Sequence, residues 1–175
     1  MPRLSAFNFQ QWIDEHRHLL KPPVGAKRVF EDANFIVMVV GGPNTRKDYH
    51  IDPGEEFFYQ LEGDMTLKVV DDGAFYDVEI KEGEVFLLPA MVPHSPQRRA
   101  NTVGLVVERK RSESEDDGVR WYCDDCGAVL NEGWFNLNSG GFLPQLSAAI
   151  EAHHASVENR TCSECGAVQS VPGAE

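Results

Sequence analysis

Short apolar or aromatic runs alternate with tight turn sequences over the first two thirds of the chain, and this pattern limits the fold more than any other feature. The turns include Glu62-Gly63-Asp64 and Lys81-Glu82-Gly83, whose residue types favour reversals of the chain. The runs are rich in β-branched and aromatic residues, as strands are. They are Phe35–Val40, Phe57–Leu61, Met65–Val70, Ala74–Ile80, Val85–Leu88 and Val103–Glu108. Regular short strands without helices between them predict an all-β sandwich or small barrel.

One helix is expected before these strands and a second near the C-terminus. Asn8 can cap the first helix, and Gln11 completes a capping-box pattern. Apolar residues then share a helical face as far as Leu20, and the following Pro22-Pro23 pair ends the helix. The second helix is expected from about residue 145 to residue 155.

An acidic link, Ser112–Gly118, separates the predicted strands from a segment that contains all the cysteines. A jelly-roll barrel of the cupin type is one architecture that fits the strands. We therefore expect such a barrel, with its N-terminal helix, over residues 1–111. The link and a small metal-bound tail are expected over residues 112–175.

The composition excludes some classes of function. A length of 175 residues fits one ordinary domain with a small appendage. The net charge of -12 disfavours nucleic acid as a partner, because phosphate contacts need a clustered cationic surface. The apolar runs are too short to cross a membrane, and the N-terminus lacks a signal-peptide core. A cytoplasmic location is therefore the expectation.

Two segments, residues 42–56 and 83–98, carry a candidate metal site. Their spacing is similar to the cupin pattern: six residues separate Glu56 from Gly63, and His94 follows Pro89. With His50, these residues give two histidines and one carboxylate beside predicted strands. That is the ligand set of mononuclear non-haem iron(II) oxygenases, and it leaves one face of the metal for substrate and dioxygen.

Alternatives to this triad remain open. Glu55 competes with Glu56, since neighbours on a strand point to opposite faces, and Asp52 is a candidate fourth ligand. His50 and His94 could instead be hydrogen-bonded turn residues in a barrel without chemistry. The remaining histidines lie in helical surroundings, where surface or capping roles are expected; they are His16, His18, His153 and His154.

The cysteines form a second candidate metal site. Cys123 and Cys126 make one Cys-x-x-Cys pair and Cys162 and Cys165 another, with 35 residues between the pairs. Without a secretion signal such pairs indicate metal ligands before disulfides. A tetrahedral, rubredoxin-like site for iron or zinc fits, and its position outside the barrel favours a structural role. Two disulfides or reactive dithiols are the alternative.

Larger stretches closely resemble the 3-hydroxyanthranilate 3,4-dioxygenase family, over nearly the whole chain. The resemblance is carried by Lys21–Val24, Gly41–His50, Glu56–Leu61, Phe86–Pro89, Pro93–Arg98, Glu108-Arg109 and Trp121–Cys123 with the final cysteine pair. It implies a cupin fold, iron(II) and a homodimer. It also implies cleavage of the ring of 3-hydroxyanthranilate with both atoms of dioxygen. The product, 2-amino-3-carboxymuconate semialdehyde, cyclises to quinolinate.

The resemblance also implies roles for residues around the metal. Arg98 would pair with the substrate carboxylate, Arg46 would steady the ring hydroxyl or dioxygen-derived group, and Glu108 would accept from the amine or move its proton. Together with Glu56 these residues would contact the substrate. Ala26 stands where the family commonly has asparagine, which puts substrate affinity or choice in doubt.

Three other functions are compatible with the residues. The first is an iron dioxygenase for another aminophenol or a catechol carboxylate. The second is a cupin that binds metal or a small ligand without catalysis. The third, a rubredoxin-like redox partner, has little support because ring opening by dioxygen requires no external electrons.

Overall fold

The protein folds into two antiparallel β-sheets with helices on the outside. The structure, a computed structural model, describes residues 5–22, 25–31, 33–136 and 142–171. The strands are β1 (Ala26–Arg28), β2 (Phe35–Gly41), β3 (Asp48–Ile51), β4 (Glu56–Glu62), β5 (Met65–Asp71), β6 (Ala74–Ile80), β7 (Val85–Leu88), β8 (His94–Arg98), β9 (Val103–Arg109), β10 (Asp117–Tyr122) and β11 (Val129–Phe135).

The two sheets face each other across an apolar core. One sheet has the order β1-β2-β9-β4-β7 and the other β11-β10-β3-β8-β5-β6. Alternate residues of the strands point inward, because side chains change face at every step along a strand. The buried core consists of Phe58, Met65, Leu67, Val69, Ile80, Leu88 and Val106. This arrangement confirms the predicted all-β jelly-roll barrel of the cupin type.

An N-terminal helix covers part of the five-stranded sheet. Helix α1 (Phe9–His16) is capped by Asn8, whose side chain accepts from the Gln11 amide, and a short 3-10 helix follows at Arg17–Leu19. Ile13 and Leu20 pack against β2 and β9. The predicted helix is therefore present, with its last turn tightened. Pro23, expected to end it, lies outside the described residues.

Five strands are additional to those that the sequence predicts, and two of them, β3 and β8, carry histidines of the predicted triad. Strand β3 reads Asp-Tyr-His-Ile and β8 reads His-Ser-Pro-Gln-Arg. Neither has the β-branched composition that marks strands in a sequence, because polar side chains occupy their inward positions. The other three are β1, β10 and β11.

Strand β10 connects the cysteine-containing segment to the barrel. It pairs with β3, so that Val119 lies opposite His50, and on its other side with β11. Asp117 and Gly118, which the sequence assigns to the acidic link, begin this strand. Asp117 is fully buried there. The strand brings residues beyond the link into the same sheet as His50.

The C-terminal helices pack beside β10 and β11. Helix α2 (Phe142–Ala155) contains the predicted helix, and α3 (Val157–Arg160) follows it. His153 of α2 stacks on Trp121 with ring centroids 4.2 Å apart, and it is fully buried. The expectation that His153 has a surface or capping role is therefore wrong, because Trp121 gives it an apolar partner. Of the helices in the described residues, none has the length and apolar character needed to span a membrane.

Candidate metal centre and its surroundings

The predicted triad converges at the centre of the barrel. His50 on β3 lies opposite His94 on β8 in the sheet register, and Glu56 faces them from β4. The Oε1 atom of Glu56 lies 3.2 Å from Nδ1 of His50 and 3.1 Å from Nε2 of His94. All three side chains are buried. The structure therefore brings together the three residues that the sequence spacing selects.

The hydrogen bonds of the two imidazoles define which nitrogens face the carboxylate without a proton. Nδ1 of His94 lies 3.1 Å from the carbonyl oxygen of Val92, and Nε2 of His50 lies 2.7 Å from Oδ2 of Asp117. A carbonyl or ionised carboxylate only accepts, so these two nitrogens donate. In the neutral imidazoles the lone pairs of the other nitrogens then point toward Glu56.

Two nitrogen lone pairs and a carboxylate oxygen that face one another repel. They need either a metal ion between them or a proton on one of them. Oε1 of Glu56 is buried and has no hydrogen-bond partner among the described residues. Ligand atoms placed about 2.1 Å from a metal ion and at right angles are about 3.0 Å apart, close to the two distances to Glu56. The residues therefore fit a divalent metal ion held on one face.

When no metal ion is bound, a proton on His50 supplies part of this positive charge. Burial alone lowers the pKa of His50, but the carboxylates of Asp117 and Glu56 outweigh it and raise the pKa to about 10. Burial likewise favours a neutral Glu56, and the two histidines reverse this and hold its pKa well below the usual value. A metal ion binding here would displace the proton that His50 shares with Glu56.

The two competitors of Glu56 have other environments. Glu55 is exposed on the outer side of the barrel. Asp52 is buried, but its Oδ2 accepts a hydrogen bond of 2.6 Å from Arg111 and its Oδ1 accepts from the Gly54 amide. Both oxygens of Asp52 are thus engaged by the protein.

Arg111 and Asp117 are site residues that the sequence reasoning missed. Nη2 of Arg111 donates to Asp52, to Asp117 and, at 2.9 Å, to Oε2 of Glu108. Glu108 therefore pairs with Arg111, whereas its sequence neighbour Arg109 binds Glu115. The one feature of the sequence that could have indicated them is an arginine directly before an acidic run. That feature is also typical of a solvent-exposed link.

Arg98 is an isolated buried cation. Its Nη1 donates to Oε1 of Gln60 at 3.1 Å, and its Nε has no partner among the described residues. The described carboxylates form no ion pair with it. Burial lowers the pKa of Arg98 to about 10. A guanidinium held in this way in the barrel interior is suited to receive an anion.

Arg46 lies at the wall of a cavity of about 480 Å³. It forms a close ion pair with the buried Asp48. The cavity is also lined by Ala26, by Leu146 and Ile150 of α2, and by the half-buried His154. None of the triad residues lines it. The arrangement places Arg46 and Ala26 together, beside a helix whose contribution the sequence did not predict.

The four cysteines form a second group. The Sγ atoms of Cys123 and Cys165 are 3.6 Å apart and those of Cys126 and Cys162 3.5 Å, and all four cysteines are free thiols. A disulfide requires about 2.05 Å, whereas sulfurs about 2.3 Å from a tetrahedral metal are about 3.8 Å apart. The geometry fits a metal ion and excludes disulfides.

Glycines shape the two knuckles that carry these cysteines. Gly127 and Gly166 follow the second cysteine of each pair, with φ of 75° and 77°, where only glycine is free of strain. The amide of each donates to the carbonyl of the first cysteine of its pair, Cys123 or Cys162. The knuckles are therefore formed by the backbone itself.

Comparisons with known proteins point to one family. A family model described as 3-hydroxyanthranilic acid dioxygenase matches residues 1–152. A 3-hydroxyanthranilate 3,4-dioxygenase of Jannaschia sp. (strain CCS1) is 57% identical over 176 residues, covering 100% of this chain and 96% of the relative. The enzyme of the same name from Ruegeria pomeroyi is 53% identical with the same coverage. A solved Neisseria meningitidis protein matches 55% of this chain and 95% of its own at 20% identity, with a TM-score of 0.44.

Proposed function

This chain belongs to the 3-hydroxyanthranilic acid dioxygenase family, and we propose that it cleaves the ring of 3-hydroxyanthranilate with dioxygen. The product is 2-amino-3-carboxymuconate semialdehyde, the precursor of quinolinate. The observation that carries this proposal is Arg98, a buried cation without an acidic partner among the described residues. It lies in the same barrel as a cation-requiring triad, so the site suits a carboxylated, metal-chelating substrate.

His50, Glu56 and His94 hold ferrous iron in this proposal. The support is the convergence of two imidazole lone pairs on a carboxylate oxygen without a hydrogen-bond partner among the described residues. Bound there, the iron supplies open positions for a chelating aromatic and dioxygen, and a path for electrons between them. The protein surrounds it with fixed dipoles and excludes bulk water, since all three side chains are buried.

Arg98 binds the substrate carboxylate through its planar guanidinium, which matches a carboxylate in two parallel hydrogen bonds. Gln60 holds one of its nitrogens in place. Because the guanidinium is already dehydrated, pairing with an anion carries a smaller desolvation cost than it would at the surface. This pairing fixes the orientation of the ring in the site.

Arg46 and Glu108 complete the proposed substrate contacts. Asp48 restrains Arg46 by an ion pair at the cavity wall, so the guanidinium steadies the ring hydroxyl or dioxygen-derived group without large motion. Glu108 has its Oε2 fixed by Arg111 and accepts from the substrate amine or moves its proton. Glu56 lies opposite Glu108 in the register of β4 and β9, so it also borders the substrate.

The cysteine group holds a structural iron or zinc ion in the segment of residues 112–175. Support comes from the sulfur spacing and from the small number of apolar contacts that this part of the chain makes by itself. A metal ion supplies the folding energy that such a small core lacks.

We also propose a homodimer. The outer face of the five-stranded sheet beyond α1 exposes Phe35, Val85 and Leu87, with 61%, 60% and 54% of their surface accessible. Apolar patches of this kind commonly mark interfaces. Light scattering after size-exclusion chromatography measures the mass directly.

Oxygen uptake tests the enzymatic proposal. The purified chain, loaded with ferrous iron under nitrogen, should consume one dioxygen per 3-hydroxyanthranilate and form a product that absorbs in the near ultraviolet. The His94→Ala variant should lose both signals, since it lacks a ligand. Turnover of another aminophenol but not of 3-hydroxyanthranilate would refute the proposed substrate, and unchanged oxygen uptake by His94→Ala would refute the proposed centre.

A further inference from the structure

The two imidazoles of the triad are oriented by different kinds of acceptor. Nδ1 of His94 is held by the backbone carbonyl of Val92, a neutral group supplied by its own strand connection. Nε2 of His50 is held by Oδ2 of Asp117 at 2.7 Å, and Asp117 is fully buried. Only His50 therefore depends on a charged side chain from a distant part of the sequence.

Asp117 is itself held by Arg111 through both of its oxygens. Nε of Arg111 donates to Oδ1 at 2.8 Å and Nη2 to Oδ2 at 2.7 Å. Nη1 of Arg111 donates to the carbonyl of Arg109, and the Arg111 side chain is 1% exposed. A bidentate contact between two buried planar groups leaves the carboxylate no freedom to rotate.

The pairing of β10 with β3 places the Asp117 carboxylate beside the His50 imidazole. Asp117 begins β10, and two residues later Val119 lies opposite His50. Since alternate residues share a face of the sheet, Asp117 points to the same interior as His50. The position of the carboxylate is therefore fixed by the backbone as well as by Arg111.

We propose that Asp117, clamped by Arg111, is a positioning residue that fixes the tautomer and ring orientation of His50 for metal binding. This inference rests on the metal triad of the proposed function. The carboxylate keeps the proton on Nε2, so that Nδ1 presents its lone pair toward Glu56, and its charge makes the imidazole a stronger ligand. The metal itself is touched by neither Asp117 nor Arg111.

The variant Asp117→Asn probes this role at almost constant volume. Both oxygens of Asp117 accept hydrogen bonds from N–H groups. In Asp117→Asn an amide NH2 replaces one of these oxygens and faces a donor of Arg111 or His50. Turned toward His50, the amide donates to Nε2 and forces the proton onto Nδ1, where the metal should bind. Loss of a partner of this kind typically weakens metal affinity about 10- to 100-fold.

The measurement is an anaerobic titration with cobalt(II). Cobalt at the His/Glu site has weak visible absorption, whereas four thiolates give intense charge-transfer bands, so the two sites are read separately in one sample. We expect Asp117→Asn to weaken cobalt binding at the His/Glu site about 10- to 100-fold and to leave the thiolate site unchanged. The matched control is Glu62→Gln, which removes the carboxylate of the Arg17–Glu62 ion pair on the outside of the barrel and should leave both sites unchanged.

Arg111→Lys gives a second test that keeps Asp117 in place. Lysine keeps the positive charge but cannot grip both oxygens, so cobalt affinity should fall by a smaller factor. It carries the test alone if Asp117→Asn does not fold. Because Arg111 acts through Asp117, the double variant should bind cobalt as Asp117→Asn does.

Three results would overturn the inference: wild-type cobalt affinity in a folded Asp117→Asn, wild-type affinity in Arg111→Lys, or an equal loss in Glu62→Gln. Each leaves the metal triad standing. If instead the wild-type chain binds no cobalt at the His/Glu site, the triad and with it the proposed function fail.

Discussion

At the scale of single residues, the centre of the barrel holds more negative than positive charge. Asp52, Glu108 and Asp117 are buried around the guanidinium of Arg111, and the buried Glu56 lies close to Asp52 and Glu108. Burial, a hydrogen bond with Glu108 and the charge of Glu56 raise the pKa of Asp52 to about 9, against the opposing charge of Arg111. A divalent ion held by Glu56 would reduce this excess of negative charge.

Arg98 gives a prediction in which stability and substrate binding change in opposite directions. The variant Arg98→Met removes a buried charge at similar length, so the metal-free protein should unfold at the same or a higher temperature than wild type. The lost contact with a carboxylate is worth about 1.5–3 kcal/mol. The KM for 3-hydroxyanthranilate should therefore rise roughly 10- to 150-fold.

The control for this prediction is the neighbouring Arg99→Met, since Arg99 is exposed. It should change neither the KM nor the unfolding temperature, measured by steady-state kinetics and circular dichroism. A wild-type KM in Arg98→Met would exclude Arg98 as the carboxylate partner.

The sequence could predict the triad because its residues lie at fixed distances from turn glycines and a proline. It could not predict Arg111 and Asp117, because their roles depend on the pairing of β10 with β3, between residues 67 to 73 positions apart in the sequence. An acidic run such as Glu113–Asp117 also has the composition of a solvated loop. Only the sheet register, and not the local sequence, distinguishes the buried Asp117 from its exposed neighbours.

At the scale of elements, the strands with an apolar alternation were predictable and those with polar inward positions were not. β3 and β8 carry His50, His94 and Arg98 on the inside of the barrel, where strands usually place apolar residues. These strands depart from the apolar alternation because their buried polar side chains belong to the candidate site. Their neighbours in the sheets determine their conformation.

Strand β9 contributes a glycine that makes room for the guanidinium of Arg98. A Cβ atom at Gly104 would lie 2.6 Å from Nη1 of Arg98 and 2.8 Å from Oε1 of Gln60. Both are ends of flexible side chains, so Gly104→Ala should fold but displace Arg98. We expect the KM for 3-hydroxyanthranilate to rise while the iron content stays that of the wild type.

Gly133→Ala on β11 is the matched control, because its Cβ would meet only Val119, at an ordinary distance of 3.7 Å. It should leave the kinetics unchanged. Should Gly104→Ala retain the wild-type KM, the position of Arg98 in the structure would not be the one that binds substrate. Iron content is measured by elemental analysis of the same samples.

At the scale of the whole molecule, one buried histidine joins the C-terminal helices to the barrel. His153 stacks on Trp121, and its Nε2 lies 3.1 Å from Oε1 of Gln169, whose amide nitrogen donates to the carbonyl of Tyr122. The amide oxygen only accepts, so Nε2 donates and Nδ1 carries a buried lone pair. Nδ1 has no partner in the described part of the chain.

This contact predicts a pH dependence of stability. Burial lowers the pKa of His153 below its usual 6.5, helped by the charges of His154 and Arg160 and opposed by Gln169 and Asp48. The unfolded chain therefore takes up the proton first as the pH falls below about 6.5. The free energy of unfolding should decrease from there until the folded-state pKa is passed.

The variant His153→Phe keeps the stack on Trp121 and removes the proton. Its unfolding temperature should be lower near neutral pH, because Gln169 loses a partner, but less dependent on pH between about 7.5 and about 5. His18→Gln at an exposed position is the control and should follow the wild type. A wild-type slope in His153→Phe, followed by circular dichroism, would assign the pH dependence to other groups.

Strand β10 has one further consequence. It starts at the carboxylate that contacts His50 and ends at Tyr122, directly before the first cysteine knuckle. A shortened version of the chain that stops at Arg111, before the acidic link, would lack both this carboxylate and the hydrogen-bonding neighbour of β3. Attempts to engineer a minimal catalyst from this scaffold should therefore retain the chain at least through its cysteine knuckles.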